Sequence, residues 1–350
     1  MSIGILDIGV HLPSDVRSNS WWNAEVVAGW SARRRQPPPL AHDVSETGRQ
    51  ILAAMRAQAP DPFQGSSLRH VISRDASSTD IEAIAARDAI TRANISIDEI
   101  DLLLTHTVAP QFWLTNSAAK LHHALGLRPE CFALQVESAA YSFLSQLEIA
   151  HAMIASGRAR TALLVQSSAA TRMIDADDPD APYFGDGATA VLIGNVSTRG
   201  IRSSIHYTDG RYPNTVVAGV PGGQWFEGRS TIHVSDPVGL RDVLLQTVDL
   251  CKLSVDAVLE RSSLHAADVR LFCIHQGTAW LRRIAQTACG LEHAATIDTF
   301  PTTGYLFSSI IPLQLRAATD SQLVSRGDQV LLFGGGTGMT YGATVIEWGR

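Results

Sequence analysis

What this chain of 350 residues lacks narrows its role before anything it contains. No stretch approaches the roughly 18 consecutive apolar residues that a transmembrane helix requires, so no membrane span is expected. The opening Met1-Ser2-Ile3-Gly4 has neither the basic region nor the apolar region of a signal peptide. Cysteine is scarce: Cys131, Cys251, Cys273 and Cys289 are scattered, with no C-x-x-C pair. That spacing suggests neither a zinc site nor a disulfide framework, and a reduced cytoplasm is the expected compartment. The net charge of −6 leaves no basic field to hold a polyanion, which sets nucleic acid aside. The one basic run, Arg33-Arg34-Arg35, leads into Pro37-Pro38-Pro39. It reads as a solvated loop or as a docking patch for an acidic partner protein.

The length suits about two domains. Ile3 to Leu12 reads as a strand that stops at Pro13. From about 20 to 62 the pattern changes to Trp21-Trp22, three arginines and three prolines, followed by a helical stretch near Ser45 to Ala57. Proline runs resist helix and sheet, so part of this segment is expected to be an extended surface excursion. Thr79 to Ala93 has helical spacing, with Ile81, Ile84, Ala85, Ala89 and Ile90 along one face. Asp80 and Glu82 fall in its first turn, where the helix dipole favours negative charge. Ile100 to Thr107 is a short apolar run, as expected of a parallel strand buried on both faces.

The second half repeats this grammar. Asp98 to His106 is echoed by Ala267 to His275, and Gly187 to Leu192 by Gly342 to Ile346. Ser156-Gly157 before Ala162 to Val165 is echoed by Arg326-Gly327 before Val330 to Leu332. Three echoes in the same order imply an internal duplication, with halves at 1–200 and 201–350. Two α/β units sharing a core through their central helices would make a layered α/β sandwich.

Several motifs then carry a resemblance that spans nearly the whole chain. Gly9-x-x-Leu12-Pro13-x-x-Val16-Arg17-x-Asn19, Phe184-Gly185-Asp186-Gly187-Ala188 and Gly336-x-Gly338-x-Thr340-x-Gly342 occur in that order. They resemble the ketoacyl synthase III branch of the thiolase superfamily, whose fold is a duplicated α/β/α/β/α sandwich. The segment between Asn19 and Gly65 is longer than in the fatty-acid enzymes of that branch. The resemblance implies an acyltransferase or condensing enzyme of fatty-acid or polyketide-type metabolism. It would act on acyl-CoA or acyl carrier protein thioesters without a cofactor or metal.

In that family a cysteine at the start of a buried helix attacks the thioester. A helix start lowers a thiol's pKa and offers N–H groups to an oxyanion. Aligned on Ala133 to Phe143, the cysteine position falls on Ala140, whose methyl group is no nucleophile. Either a Cys→Ala exchange was made to trap an acyl complex, or the natural protein has lost or relocated the chemistry. Ser138 and Ser142 flank the position and are candidate substitutes, with close helix packing as the plainer reading. The resemblance places the oxyanion donors at the Ala140 N–H and in the Gly336-Thr337-Gly338 turn, at Thr337 and Gly338.

His275-Gln276, directly after an apolar strand, matches the family's His-Gln that activates the thiol. Strand C-termini are where α/β sites assemble. His106, its repeat mate, reads as a satisfied interior histidine. The family's asparagine, which helps stabilise the enolate from malonyl thioester, falls on Tyr305, so ordinary malonyl decarboxylation is not expected. Ser142-Phe143-Leu144 is similar to the quinolone-forming condensing subunits. Val108 to Asn116 resembles the loop that closes a neighbouring subunit's acyl pocket, making Phe112 and Trp113 candidate tunnel walls. Ser138 and Ser142 are further candidates for the tunnel lining. The tryptophan and arginine that grip CoA are not evident before Gly65, where Ala59 and Phe63 stand, which favours a carrier protein. The alternative reading is a non-catalytic subunit paired with an active paralogue. The resemblance thus implies either a homodimer or a heterodimer.

Overall fold

The computed structural model describes residues 2–33 and 43–349. The chain opens with β1 (Ile3–His11), then β2 (Asp15–Ser18), α1 (Ala24–Arg33), α2 (Glu46–Gln58) and β3 (Leu68–Val71). There follow α3 (Ser78–Ala93), β4 (Leu102–Val108), α4 (Ser117–Leu125), β5 (Phe132–Gln135), α5 (Ser142–Ala155), β6 (Ala162–Ala169) and β7 (Asp186–Asn195). The later run is β8 (Gly200–Thr208), β9 (Val216–Gly219), β10 (Thr231–Val234), α6 (Pro237–Ser262), β11 (Val269–Ile274) and α7 (Leu281–Ala288). It ends with α8 (Phe300–Thr303), α9 (Ile310–Asp320), β12 (Gln329–Gly336) and β13 (Thr340–Glu347).

Two main sheets result, ordered β1-β7-β6-β4-β5 and β8-β13-β12-β11. The second repeats the first strand for strand, lacking only a counterpart of β5. In both, the corresponding pairs β4–β6 and β11–β12 are parallel, as is β4–β5, whereas β1–β7, β6–β7, β12–β13 and β8–β13 are antiparallel. Successive residues of a strand face opposite sides, and the packing follows that rule. Leu102 and Leu104 of β4 point inward to the shared core, whereas Leu103 packs outward with Ala85 and Ala89 of α3.

The shared core holds Leu144, Leu147, Ala150 and Ile154 of α5 together with Ile311, Leu315 and Ala318 of α9. Residues from both sheets, such as Leu164, Val191, Leu271 and Leu332, close around them. The layers therefore run helix, sheet, helix, sheet, helix, with α3 covering one sheet and α6 the other. This is the expected duplicated sandwich.

Three local expectations need correction. Ile84 is exposed, not part of the apolar face. The buried face of α3 runs through Glu82, Ala85, Ala86 and Ala89, and at 3.6 residues per turn Ile84 lies opposite it. Glu82 is not a solvated first-turn charge but fully buried, accepting hydrogen bonds from Thr107 Oγ1 (2.6 Å) and Ser167 Oγ (2.5 Å). Burial drives its carboxyl up to about 7 against those two bonds. The 20–62 segment is more integrated than an excursion: Trp22 and Trp30 are buried, donating to the carbonyls of Ala176 (2.6 Å) and Asp177 (2.8 Å). Arg33 closes α1 and reaches the Asp177 carbonyl, while Arg34, Arg35 and Pro37 to Pro39 lie outside the described residues.

β1 and α3 meet backbone to backbone. A Cβ on Gly9 would lie 2.0 Å from the Ala85 carbonyl oxygen and 2.4 Å from the Ala89 nitrogen. Gly9→Ala is therefore expected to cost about 1–3 kcal/mol by forcing the helix off the sheet. Chemical denaturation checks this, and unchanged stability would contradict the packing.

Candidate functional site

The nucleophile region is built at the end of β5. The chain leaves the sheet with the Val136 N–H still bonded to the Thr105 carbonyl (2.8 Å), then turns sharply. Ala139 takes φ +49°, a left-handed conformation that costs an L-residue roughly 1–2 kcal/mol. Its N–H donates to Glu137 Oε1 (2.6 Å), which holds the turn in place. Ala140, buried, follows two places before the first residue of α5.

The flanking serines are tied up locally. Ser142 Oγ accepts from the Ser138 N–H (2.8 Å) and donates to the Ala139 carbonyl (2.8 Å), and the residue is wholly buried. It pins the turn and lines no tunnel, a correction to its expected place. Ser138 Oγ pairs with Ser145 Oγ at 3.0 Å. Neither hydroxyl has a histidine partner among the described residues.

The glycine strand approaches this turn one step earlier than expected. A Cβ on Gly336 would sit 2.5 Å from the Ser138 carbonyl oxygen and 3.0 Å from the Tyr141 nitrogen. Thr337 and Gly338 instead form the tip of the β12–β13 hairpin, since Gly336 still pairs with Thr340. A Cβ on Gly338 would meet nothing within 4 Å. Close contact with the nucleophile turn thus belongs to Gly336.

His275 stands at the end of β11, its N–H bonded to the Phe333 carbonyl of β12 (2.9 Å). Three residues beyond Phe333, the same strand reaches Gly336 and so the turn at 138–141. Burial pushes the His275 imidazole down to about 4, leaving it neutral near pH 7. Its Nε2 faces the Tyr305 hydroxyl at 3.4 Å. Gln276 is a structural pin: it donates to the Ile297 carbonyl (2.7 Å) and accepts from the Thr299 N–H (2.8 Å).

Tyr305 is fixed at both backbone ends, donating to the Tyr183 carbonyl (2.8 Å) and accepting from the Gly185 N–H (3.2 Å). The Phe184-Gly185 motif therefore has a visible task, positioning Tyr305. An aromatic cluster of Tyr183, Phe184 and Phe307 surrounds its ring. Burial raises its phenol far above the ordinary range, so the group is a neutral hydroxyl. Ala140 and Tyr305 share one buried apolar cluster with Leu306 and Ile310. Residue 140, His275 and Tyr305 are thus brought together by β5, β11, β12 and the start of α9.

Sequence reasoning missed a second cluster beside this one. The turn before α9 repeats the turn before α5: Phe307 takes φ +52°, and Ser308 follows two places before the helix, as Ala140 does. The two turns pack against each other. Ser308 Oγ lies 2.6 Å from His106 Nδ1, and His106 Nε2 lies 3.4 Å from Glu137 Oε2. His106 is a satisfied interior histidine, as expected, but its partners are a hydroxyl and a carboxylate. Superposing the repeats at their helix starts, in addition to their strands, would have paired Ser308 with Ala140.

Phe112 and Trp113 are 60% and 61% exposed, so neither walls a tunnel within this chain. Phe63 packs between Trp22 and Trp30, with ring centroids 6.0 and 5.8 Å away. No group of histidine, cysteine and carboxylate residues suited to a metal ion occurs among the described residues. Nor is any described helix long and apolar enough to cross a membrane.

Comparison with known proteins agrees with this architecture. The family model for 3-oxoacyl-[acyl-carrier-protein] synthase III matches residues 134–210, and the model for its C-terminal part matches residues 259–348. The beta-ketoacyl-[acyl-carrier-protein] synthase III of Methylococcus capsulatus is 29% identical over 304 residues, covering 84% of this chain and 92% of that protein. The Thermus thermophilus synthase III structure aligns with a TM-score of 0.78 at 25% identity, over 99% of this chain and 100% of that one. A Xanthomonas campestris OleA variant, solved with lauric acid and lauroyl-CoA, aligns with a TM-score of 0.76 over 99% of both chains. Its 18% identity speaks for the fold alone.

The depressed His275 value has a consequence for stability. An unfolded histidine titrates near 6.5, so between pH 6.5 and about 4 the unfolded chain binds more protons than the folded one. Stability contributed by neutral His275 is present above pH 6.5 and declines as pH falls through that window. His275→Gln should flatten this part of the denaturation profile. An identical slope in the variant would contradict a buried neutral imidazole.

Proposed function

Because the chain is a ketoacyl synthase III-like member of the thiolase superfamily, we propose that it moves an acyl group from a thioester to an acceptor. It does so without decarboxylating a malonyl thioester. One observation carries this reading: the Tyr305 hydroxyl, not a carboxamide, faces His275 Nε2 at 3.4 Å, beside a residue 140 whose side chain is methyl. Enolate stabilisation in this family uses histidine and asparagine together, and Tyr305 offers a phenol in place of the amide. The backbone of the turn at 138–141 survives side-chain replacement, so its N–H groups remain available to polarise a thioester carbonyl. The donor is an acyl carrier protein or CoA thioester, and the structural neighbour that holds lauroyl-CoA makes that molecule a sensible first probe.

Ala140 favours a second reading, a non-catalytic subunit that shapes the pocket of an active paralogue in a heterodimer. The two readings separate cleanly. Incubated with lauroyl-CoA and an acyl carrier protein, the chain alone should release CoA and acylate the carrier, with no carbon dioxide from malonyl-CoA. Turnover that appears only after adding an active relative supports the paired-subunit reading. Carbon dioxide release by the chain alone would overturn the proposal.

A further inference from the structure

We infer that Ser308, activated by His106 and Glu137, is a nucleophile that takes the acyl group in place of the missing thiol. The inference rests on the reading that an acyl thioester reaches this site. It stands first on position. Ser308 occupies in the second half the place Ala140 holds in the first, after a residue of positive φ and before a central helix. His106, near the end of β4, is the repeat mate of His275, which lies one residue beyond β11. The usual pairing joins a nucleophile turn of one half to a strand-end histidine of the other. Ser308 with His106 is that pairing with the halves exchanged.

It stands second on contact. A histidine placed between a hydroxyl and a carboxylate has the arrangement of a general base with its orienting group. Purely structural imidazoles here are met differently: His70 Nδ1 lies 2.6 Å from the Pro13 carbonyl and His122 Nε2 3.1 Å from that of Arg128. With the Nε2 proton directed to Glu137, Nδ1 keeps its lone pair toward Ser308 Oγ. Against partial desolvation, the hydrogen bonds from His106 and the Ala139 N–H hold the Glu137 carboxyl, whose side chain is 62% exposed, below its ordinary value. Glu137 thereby ties the serine's base to the Ala139 turn that supports the original nucleophile position. Tyr141 makes a similar line with His206 (2.6 Å) and Glu148, but its phenol is raised by burial and reaches β8, not a helix start.

The chemistry balances. The Ser308 Oγ–H proton passes to His106 Nδ1 as Oγ bonds to the thioester carbonyl carbon. The C–S bond breaks, and the Nδ1 proton goes to the departing thiolate, leaving an acyl ester on Ser308 and a free thiol. A thiol, amine or hydroxyl acceptor then gives its proton to Nδ1 and attacks the ester carbonyl. Ser308 Oγ leaves and recovers the proton. No oxidant or reductant is needed.

Two reagents test this on the unaltered protein, each followed by peptide mass mapping. Diisopropyl fluorophosphate reports an activated serine whatever its natural donor, and lauroyl-CoA reports the acyl ester. Label on Ser308 from both is the expected result, absent in Ser308→Ala. Ser308→Cys should keep a lauroyl adduct that neutral hydroxylamine removes, and His106→Gln should slow fluorophosphate labelling about 100-fold. Fluorophosphate label on Ser308 without any lauroyl adduct upholds the nucleophile and overturns the thioester reading. An adduct confined to Ser138 or Ser142, or no label on Ser308 from either reagent, overturns the inference. The mapping on unaltered protein decides the matter even if Ser308→Ala does not fold.

Discussion

The arrangement depends on the packing of α5 and α9 side by side between two sheets. Leu144, Leu147 and Ile154 on one helix and Ile311 and Leu315 on the other all face the shared core. Held that way, the helices bring their first turns into contact. Each turn includes a non-glycine residue at positive φ, Ala139 and Phe307. Such strain persists only where the surroundings over-determine the backbone, and it clusters at functional sites. Here the surroundings are Gly336 on one side and the facing turn on the other.

That contact places two histidines in one neighbourhood with opposite electrostatic settings. His275 has a phenol for its side-chain partner, and burial alone keeps it neutral. His106 is even less exposed but joined to a carboxylate that is ionised, so a proton gained during reaction has a compensating charge 3.4 Å away. The methyl side chain at residue 140 and the hydroxyl at residue 308 then belong to one account.

Much of this fold was legible in the sequence because burial leaves strong marks. β4 and β11 are largely apolar since nearly all their residues are buried, and the three ordered echoes became two sheets with matching strand order. The motifs, whose spacing follows from tight turns, pointed to His275 and Tyr305, which the fold brings to 3.4 Å from each other. What escaped was of another kind. The inward face of α3 is set by which side meets the sheet, and Glu82 sits there because two hydroxyls satisfy it, a fact no periodicity carries. The burial of Trp22 and Trp30 was not legible because their partners are carbonyls about 150 residues away, as the separations of 154 and 147 show. Ser308 and Glu137 escaped for the same reason. Each is an unremarkable polar residue until the fold puts it against His106.

A crystal structure of the protein grown with lauroyl-CoA tests the central claim most directly. The account predicts that the acyl chain ends between the turns at 139–141 and 307–309, with density continuous from its carbonyl carbon to Ser308 Oγ. An acyl group bound elsewhere, or residues 140, 275 and 308 opening into separate pockets, would contradict it.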